Sequence, residues 1–283
     1  MKLKQRVADF WDNSPCGVTN AEGLTPGTPE FFQQVEDTRY EREGFIPKYI
    51  GFSEWKEKSV LEIGCGIGID FRHFVREGAQ AVGIDVSQQS LKLAKQGSDI
   101  YGLNGTLILA DGENLPFASD KFDLVYTWGV IHHAPDTSKV VDEIYRVLKP
   151  GGRVIAMVYN LRSLLVLQAW LFYGLLKAKP FSTARNLVAN HVESPGTKAY
   201  TKDEATRLFG GFERVEIESV VTSYDLRIGR RRFFPSWVRK VVPSRFGWFT
   251  IVRGLKPAGS SLAEYTTDHS IDGGRPITAH IDQ

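Results

Sequence analysis

An apolar strand runs through a glycine-rich turn directly into a helix in the stretch Val60-Leu-Glu-Ile-Gly-Cys-Gly-Ile-Gly-Ile-Asp70. Glycine lets a chain turn sharply, adopt backbone angles closed to other residues and bring bare main chain against a ligand. Such a turn at the end of a strand predicts a cofactor site. A glycine-rich turn alone is weak evidence, so the surrounding sequence must decide which cofactor it holds.

The spacing of the glycines argues against a dinucleotide. A dinucleotide-binding turn reads G-x-G-x-x-G, and its third glycine would stand where Ile69 stands. Asp85 ends the next apolar strand at the offset expected of an acid that binds a ribose, which fits a dinucleotide and other nucleosides alike. Asp111 follows a third strand, in Ala110-Asp-Gly-Glu-Asn-Leu-Pro-Phe117, beside a loop whose main chain can receive an adenine ring.

At these residues the chain resembles the class I S-adenosylmethionine-dependent methyltransferases, in particular the broad type 11-like group that acts on small molecules. The resemblance continues through Phe122–His133 and Leu148–Ile155 and covers roughly residues 57 to 160. It implies an α/β fold: a Rossmann-like, seven-stranded, mostly parallel sheet sandwiched by helices. The implied strand order is 3-2-1-4-5-7-6, with the last strand antiparallel.

The resemblance also implies that the chain binds S-adenosyl-L-methionine. Glu62 would steady the glycine turn, Asp85 would hold the ribose and Asp111 the adenine. Each has a structural alternative, since these acids can equally cap a turn, end a strand or stabilise a loop. The residues expected at the cofactor are Glu62, Gly64, Cys65, Gly66, Gly68, Asp85, Val86, Asp111, Gly112, Glu113, Trp128 and Gly129, with Arg39 and Tyr40 from the N-terminal region.

The middle of the chain alternates short apolar strands with helices, a pattern typical of right-handed crossover units in a parallel sheet. A helix opening at Thr28-Pro29 precedes this unit, and Thr201 with Glu204 has capping-box spacing for another. Strands are predicted near 58–63, 80–85, 106–110, 122–127, 152–158, 212–222 and 247–254, and helices near 69–77, 87–98 and 137–148.

Composition is that of a globular protein, with 42% hydrophobic and 24% charged residues in 283. A net charge of +2 is too small to indicate nucleic acid by itself, and the pattern of DNA amino methyltransferases is missing after strand four. Two cysteines, Cys16 and Cys65, make a disulfide framework improbable, so a cytoplasmic location is expected. We expect no secretory signal and no transmembrane span.

Three segments lie outside the repeating unit, and substrate choice is expected there. Residues 1–55 are interpreted as a lid in which Trp11 and Tyr40 exclude water and Arg39 lies near a carboxylate. The methyltransferase domain then spans 56–256, with inserts at 161–200 after strand five and at 225–246 between strands six and seven. A polar tail, 257–283, ends the chain.

Both inserts are basic and apolar. The sequence has no acidic residue from Ile144 to Val192, and basic and aromatic residues interleave in Arg227–Lys240. A solvated basic face explains this pattern as well as any ligand does. Among ligands, we favour an amphiphilic or phosphate-bearing acceptor met at an anionic membrane surface over RNA, since no RNA-binding module accompanies the domain.

Methyl transfer requires in-line approach and exclusion of water, and a hydroxyl acceptor also requires a base. His133 and His132 are the candidate bases because they follow strand four at the expected active-site edge and histidine titrates near neutrality. Paired histidines can equally be structural. Trp11 and His191 are expected near the substrate, Glu193 is a weaker candidate, and no metal site is indicated by the spacing of Cys, His and acidic residues.

The function predicted is transfer of a methyl group to oxygen, nitrogen or carbon of a small or amphiphilic metabolite. Two other hypotheses remain open: a nicotinamide-dependent oxidoreductase, and a noncatalytic protein that binds S-adenosylmethionine.

Overall fold

One seven-stranded sheet forms the centre of the molecule. The computed structural model describes residues 2–175, 181–228, 232–233 and 241–259. The strands of the sheet are β1 (Ser59–Ile63), β2 (Gln80–Asp85), β3 (Thr106–Leu109), β4 (Phe122–Trp128), β5 (Leu148–Tyr159), β6 (Glu213–Val220) and β7 (Phe249–Leu255). Their order is β3-β2-β1-β4-β5-β7-β6. Strands β1 to β5 pair in parallel, and β7 is antiparallel to both β5 and β6.

Helices cover both faces of the sheet. They are α1 (Leu3–Asn13), α2 (Pro29–Arg42), α3 (Ile46–Ile50), α4 (Ile69–Arg76), α5 (Gln88–Ile100), α6 (Thr137–Val147), α7 (Leu164–Ala169), α8 (Ala184–His191) and α9 (Lys202–Leu208). A π-helical turn, Trp170–Leu175, continues α7, and a two-stranded ribbon pairs Arg227–Ile228 with Arg232–Phe233. None of the described helices combines the length and the apolar character that crossing a bilayer requires.

Alternation along the central strands builds two apolar cores. In β4, Leu124 and Tyr126 belong to the cluster that includes α3, α4, α7 and α8, whereas Val125 belongs to the cluster with α6 and α9. Strands buried on both faces are typical of parallel sheets, because crossover helices cover each side. The sheet edge at the carboxyl ends of the strands is thereby held rigidly.

The predicted fold class and strand order are confirmed. Local signals located the helix starts correctly: the Thr28 hydroxyl accepts a hydrogen bond from the amide of Phe31 at the start of α2, and Thr201 and Glu204 form a capping box at α9. Strand β5 begins at Leu148, earlier than predicted, because Leu148 pairs with Phe122 ahead of a register shift in β4.

Three of the described helices, α1, α3 and α8, were not predicted. Helix α1 starts without a side-chain cap at Lys2, so it lacks the signal that marks α2. Helix α8 occupies 184–191, just before the candidate residue Glu193. Most of the basic Arg227–Lys240 segment and nearly all of the predicted tail lie outside the described residues.

Candidate active site

A cavity of about 1960 Å³ opens at the carboxyl ends of β1, β2 and β4. Strand order reverses between β1 and β4, and open α/β sheets bind their ligands at such a reversal. The glycine turn that follows β1 forms part of the cavity wall. The cavity therefore lies where the sequence predicted a cofactor.

Gly64 and Gly66 both have left-handed backbone angles, with φ of 73° and 52°. A Cβ atom on Gly64 would lie 2.3 Å from a methyl group of Val130, so the fold itself requires glycine there. A Cβ atom on Gly66 would meet no described protein atom within 4 Å. Because Gly66 also lines the cavity, its main chain is open to a ligand.

Asp85, at the end of β2, holds this turn in place. Its Oδ2 accepts a hydrogen bond from the amide of Gly66 at 2.9 Å, and its Oδ1 accepts one from the amide of Ser87 at 2.8 Å. Burial raises the pKa of this carboxyl, and the backbone hydrogen bonds from Ser87 and Gly66 offset part of the rise. A carboxylate oxygen can accept more than one hydrogen bond, so Asp85 can also bind ribose hydroxyls.

Helix α1 is tied to the rim of the cavity at both of its ends. The Nζ atom of Lys4 lies 2.5 Å from Asp111 and 2.6 Å from Glu113. Near the other end, Asp12 accepts a hydrogen bond from the hydroxyl of Ser87 at 3.1 Å. Helix α1 thus reaches the loop where the sequence predicts the adenine.

A buried charged network lies at the start of α4. Asp70, 3% exposed, accepts hydrogen bonds from Nη2 of Arg39 at 2.6 Å and from the hydroxyls of Tyr40 and Tyr126, each at 2.7 Å. Burial opposes ionisation of Asp70, but Arg39 and the hydrogen bonds outweigh it and lower the pKa. The predicted carboxylate partner of Arg39 is therefore Asp70, and the guanidinium forms part of the cavity wall.

His133, Glu193 and Tyr159 meet at the cavity wall; we call this group the histidine corner. The Tyr159 hydroxyl donates to Oε2 of Glu193 at 2.6 Å, and Nε2 of His133 lies 3.2 Å from the same oxygen. The second contact does not have hydrogen-bond geometry, and it becomes an ion pair only when the imidazole is protonated. Burial opposes ionisation of Glu193, but His133 and the Tyr159 hydroxyl outweigh it and lower the pKa.

Two hydroxyl groups of the loop after α8 contact the His133 ring at Nδ1. Nδ1 of His133 lies 2.8 Å from the hydroxyl of Ser194 and 3.0 Å from that of Thr197. The edge of the Trp11 ring packs against the imidazole with 5.1 Å between ring centroids. The imidazole is thereby held in one orientation on the cavity wall.

Most residues expected from the sequence do line this cavity. They are Glu62, Gly64, Cys65, Gly66, Asp85, Val86, Asp111, Gly112, Glu113, Trp128, Gly129, Arg39, Trp11, His133 and His191. The side chain of Cys65 is nevertheless buried in the apolar core, so the thiol is not a contact group.

Three expected residues do not belong to the wall, and each has another role. Gly68 begins α4 and packs against Ala94, which a Cβ atom would approach to 3.0 Å. Tyr40 directs its hydroxyl to Asp70. His132 is 0% exposed; burial, with His133 beside it, places its pKa well below the ordinary histidine value.

Sequence reasoning missed several residues that complete the site. Lys4 and Asp12 carried no signal, because their partners lie far along the chain. Tyr159 stands at the carboxyl end of β5, a position that could have drawn attention. Glu43 was also missed, although it accepts a hydrogen bond from the Trp128 indole at 3.3 Å inside the cavity.

Comparison with known proteins identifies the family. A family model described as a methyltransferase domain matches residues 61–156. The demethylmenaquinone methyltransferase of Oceanobacillus iheyensis is 30% identical over 177 residues, which cover 57% of this chain and 72% of that protein. The chain belongs to the class I S-adenosylmethionine-dependent methyltransferases. Its cofactor is S-adenosyl-L-methionine.

Other similarities agree with this methyltransferase assignment. The chloroplastic tocopherol O-methyltransferase of Arabidopsis thaliana is 37% identical over 114 residues, which cover 39% of this chain but only 33% of that protein. Magnesium protoporphyrin IX methyltransferase from Synechocystis PCC 6803, solved with S-adenosylmethionine bound, has the same fold, with a TM-score of 0.54 at 15% identity. That match covers 90% of this chain and 98% of the other.

The charges of the cavity suit this methyltransferase cofactor. S-adenosylmethionine carries two cationic groups, a sulfonium and an ammonium, and one carboxylate. Eight carboxylates line the cavity against the three cations Lys4, Arg39 and Arg42. Oε2 of Glu62 is buried without a hydrogen-bond partner among the described residues, and burial followed by the nearby Asp70 raises its pKa well above the ordinary value. A cationic ligand would relieve this unpaired acid.

Proposed function

We propose that the protein transfers a methyl group from S-adenosylmethionine to a nucleophilic atom of a lipophilic or amphiphilic small molecule. The observation that carries the proposal is the cavity itself: about 1960 Å³, against the roughly 300–1,000 Å³ that holds a typical small ligand. It has room for the cofactor and a sizeable acceptor together.

The lining of the cavity is rich in aromatic side chains. Such walls favour apolar, ring-containing ligands. Relatives of the chain are named for tocopherol and demethylmenaquinone, which are both lipophilic compounds. The aromatic residues of the lining are Trp11, Trp128, Tyr159, Phe172, Tyr173, Tyr224, Trp248 and Phe249.

Within the cavity, we assign the cofactor to the glycine turn, with Asp85 at the ribose and Asp111 at the adenine. The bound cofactor supplies an electrophilic methyl group on its sulfonium. The chain's own task is to exclude water, align the acceptor and activate its nucleophile. We assign activation to the histidine corner, because His133 and Glu193 line the cavity beside the aromatic rings of Trp11 and Tyr159.

Two measurements test the proposal. Isothermal titration should detect S-adenosylhomocysteine and not NAD, which would exclude an oxidoreductase. Incubation with methyl-labelled cofactor and separate lipid and aqueous metabolite extracts should place the label in a lipid-soluble compound. Binding without labelled product in either extract would favour a noncatalytic protein, and label in the aqueous extract alone would refute a lipophilic acceptor.

Replacing His133 should slow the reaction strongly. For the acceptor found by labelling, His133→Ala should lower kcat by about 10²- to 10⁴-fold, the usual contribution of a positioned proton-transfer group. S-adenosylhomocysteine affinity should stay within a few fold, since the role proposed for His133 is toward the acceptor. His73→Gln, a histidine paired with Glu36 outside the cavity, is the control. Normal turnover in His133→Ala would contradict a role for His133 as a base and would mean that the enzyme acts only by positioning the reactants.

A lipophilic acceptor has to be collected from a membrane, and we propose that the α7 region contacts an anionic bilayer. Phe172 is 55% exposed while it lines the cavity, and Phe181 is 96% exposed. Leu167 and Leu171 add to this apolar surface. From Asn160 to Val192 the sequence has no acid and four Lys and Arg residues, of which Arg185 pairs with Glu204, so the net charge of this segment is complementary to acidic lipid.

Vesicle flotation tests this contact. The protein should float with phosphatidylglycerol vesicles at low salt and not with phosphatidylcholine vesicles. The double substitution Phe172→Ser and Phe181→Ser should reduce flotation severalfold, because it removes exposed apolar area. Ile100→Ser, which changes an exposed apolar residue of α5, should leave flotation unchanged. Absence of flotation on acidic vesicles would remove the membrane from the proposal.

A further inference from the structure

Three metal-ligating side chains converge at the histidine corner. His132 and His133 follow β4, and Glu193 comes from the loop after α8, about 60 positions further along the chain. One donor atom of each residue lies within 4.8 Å of the other two. Three atoms at most 4.8 Å apart have a common central point no more than about 2.8 Å from each of them. Each donor atom would therefore have to move by less than about 1 Å to reach the 2.0–2.2 Å distance typical of a zinc ligand.

His132 is unexplained without a ligand. Its side chain is fully buried, and neither ring nitrogen has a hydrogen-bond partner among the described residues. The ring packs against those of Tyr159 and His133, with centroid distances of 3.8 and 4.3 Å. Leaving a buried polar group unsatisfied costs about 1–3 kcal/mol. A coordinated cation would satisfy one of these nitrogens.

The surroundings of the other two donors resemble a second coordination shell. Metal-binding histidines usually direct their other ring nitrogen to a hydrogen-bonding group that fixes the ring. Nδ1 of His133 contacts the hydroxyls of Ser194 and Thr197, and Tyr159 donates to the carboxylate of Glu193. These contacts hold Nε2 of His133 and Oε2 of Glu193 3.2 Å apart.

The backbone of Glu193 supports a specific role for its side chain. Its φ is 53°, in the left-handed region that favours glycine. Such strain persists where the surrounding structure requires it and is common at functional sites. The Glu193 side chain is 44% exposed and lines the cavity, whereas His132 is enclosed, so a coordination position at this corner would face the cavity.

We propose that His132, His133 and Glu193 form a binding site for one divalent transition-metal ion of the zinc class. Two imidazoles and one carboxylate suit Zn²⁺, Co²⁺ or Fe²⁺, and do not suit Mg²⁺ or Ca²⁺, which prefer all-oxygen sites. Three protein ligands leave a fourth position open, as catalytic zinc sites do.

This inference deepens the proposed function. An acceptor hydroxyl bound at the open position would lose its proton to solvent more readily, because the cation stabilises the resulting oxygen anion. His133 would then act on the acceptor through the ion, and His132 would have a role that a free base does not give it. The spacing of the residues could not reveal the site, since Glu193 is remote in sequence.

Cobalt is the probe that tests the site without an acceptor. Chelator-treated full-length protein, titrated with CoCl₂, should bind one Co²⁺ and develop visible absorption bands of a low-coordinate nitrogen and oxygen site. His132→Phe, which keeps a ring against Tyr159 but removes the donor, and Glu193→Gln should each weaken Co²⁺ binding by at least tenfold. His73→Gln should not, because His73 and Glu36 form a two-donor pair with 2.9 Å between Nε2 and Oε1.

S-adenosylhomocysteine titration of every variant separates this inference from the proposed function and verifies folding. Intact cofactor binding with no Co²⁺ uptake at tenfold excess would overturn the metal site and leave methyl transfer standing. Equal Co²⁺ binding by wild type and both site variants would also overturn it. If His132→Phe does not fold, the Co²⁺ affinity of Glu193→Gln still tests the site, because Glu193 is partly exposed and its substitution should not prevent folding.

Discussion

Gly66→Ala should lose S-adenosylhomocysteine affinity by about 10- to 100-fold while the fold survives. The methyl group would project into the cavity rather than into protein, because a Cβ atom there meets no described atom within 4 Å. Overpacking of a fitted site costs roughly 1–3 kcal/mol, and 1.4 kcal/mol is a tenfold change in affinity. Isothermal titration with S-adenosylhomocysteine measures the loss.

Gly102→Ala is a matched control for this substitution. Gly102 has a φ of 62°, close to the 52° of Gly66, and a Cβ atom on it also has open space. Both variants therefore carry the same left-handed strain, about 1–2 kcal/mol, and should show similar decreases in Tm. Only Gly66→Ala should lose ligand affinity. Equal affinity in the two variants would place the cofactor away from the Gly66 main chain.

The sequence was most informative where the signal is local. Thr28 and Thr201 mark helix starts because a capping hydroxyl bonds an amide three residues away. Gly64, Gly66 and Asp85 could be placed because strand ends and glycine turns determine where a parallel sheet binds its ligand. The family resemblance supplied the strand order, which no local rule contains.

The rest of the site depends on contacts between distant parts of the chain. Lys4 and Asp111 are separated by 107 positions, and His133 and Ser194 by 61. No spacing rule connects such pairs, because a folded backbone has to bring them together first. Helix α1 was missed for a related reason, since it lies over the cavity without a cap at its start.

The same distinction applies to the histidine pair. The sequence offered both adjacent histidines as candidate bases, with His133 slightly ahead, and the structure separates them clearly. His133 lines the cavity, and His132 lies buried behind it. Their difference arises from the short 3₁₀ turn Ile131–His133, which points consecutive side chains in different directions. Roles for the two residues therefore require the three-dimensional arrangement.

Asp70→Asn should destabilise the protein more than other single substitutions at the edge of the cavity. It keeps the side-chain volume but removes the carboxylate that accepts two hydrogen bonds from Arg39, and the guanidinium keeps only the longer 3.8 Å contact to Glu43. Breaking one partner of a buried ion pair costs about 3–5 kcal/mol, a large part of the 5–15 kcal/mol by which typical domains are stable. Urea unfolding should measure this loss, and Tyr40→Phe, which removes a single neutral donor, should cost about 1 kcal/mol.

The difference between wild type and Asp70→Asn should also depend on pH. Because the pKa of Asp70 is lower in the folded protein than its ordinary value of 3.8, the folded state binds this proton less tightly than the unfolded chain does. The stabilisation is therefore complete above about pH 5 and decreases as pH falls through 3.8 toward the lower folded pKa. The gap between the two unfolding free energies should be constant from pH 8 to pH 5 and shrink below pH 4. A gap that stays constant down to pH 3 would mean that Asp70 is not the ionised partner of Arg39.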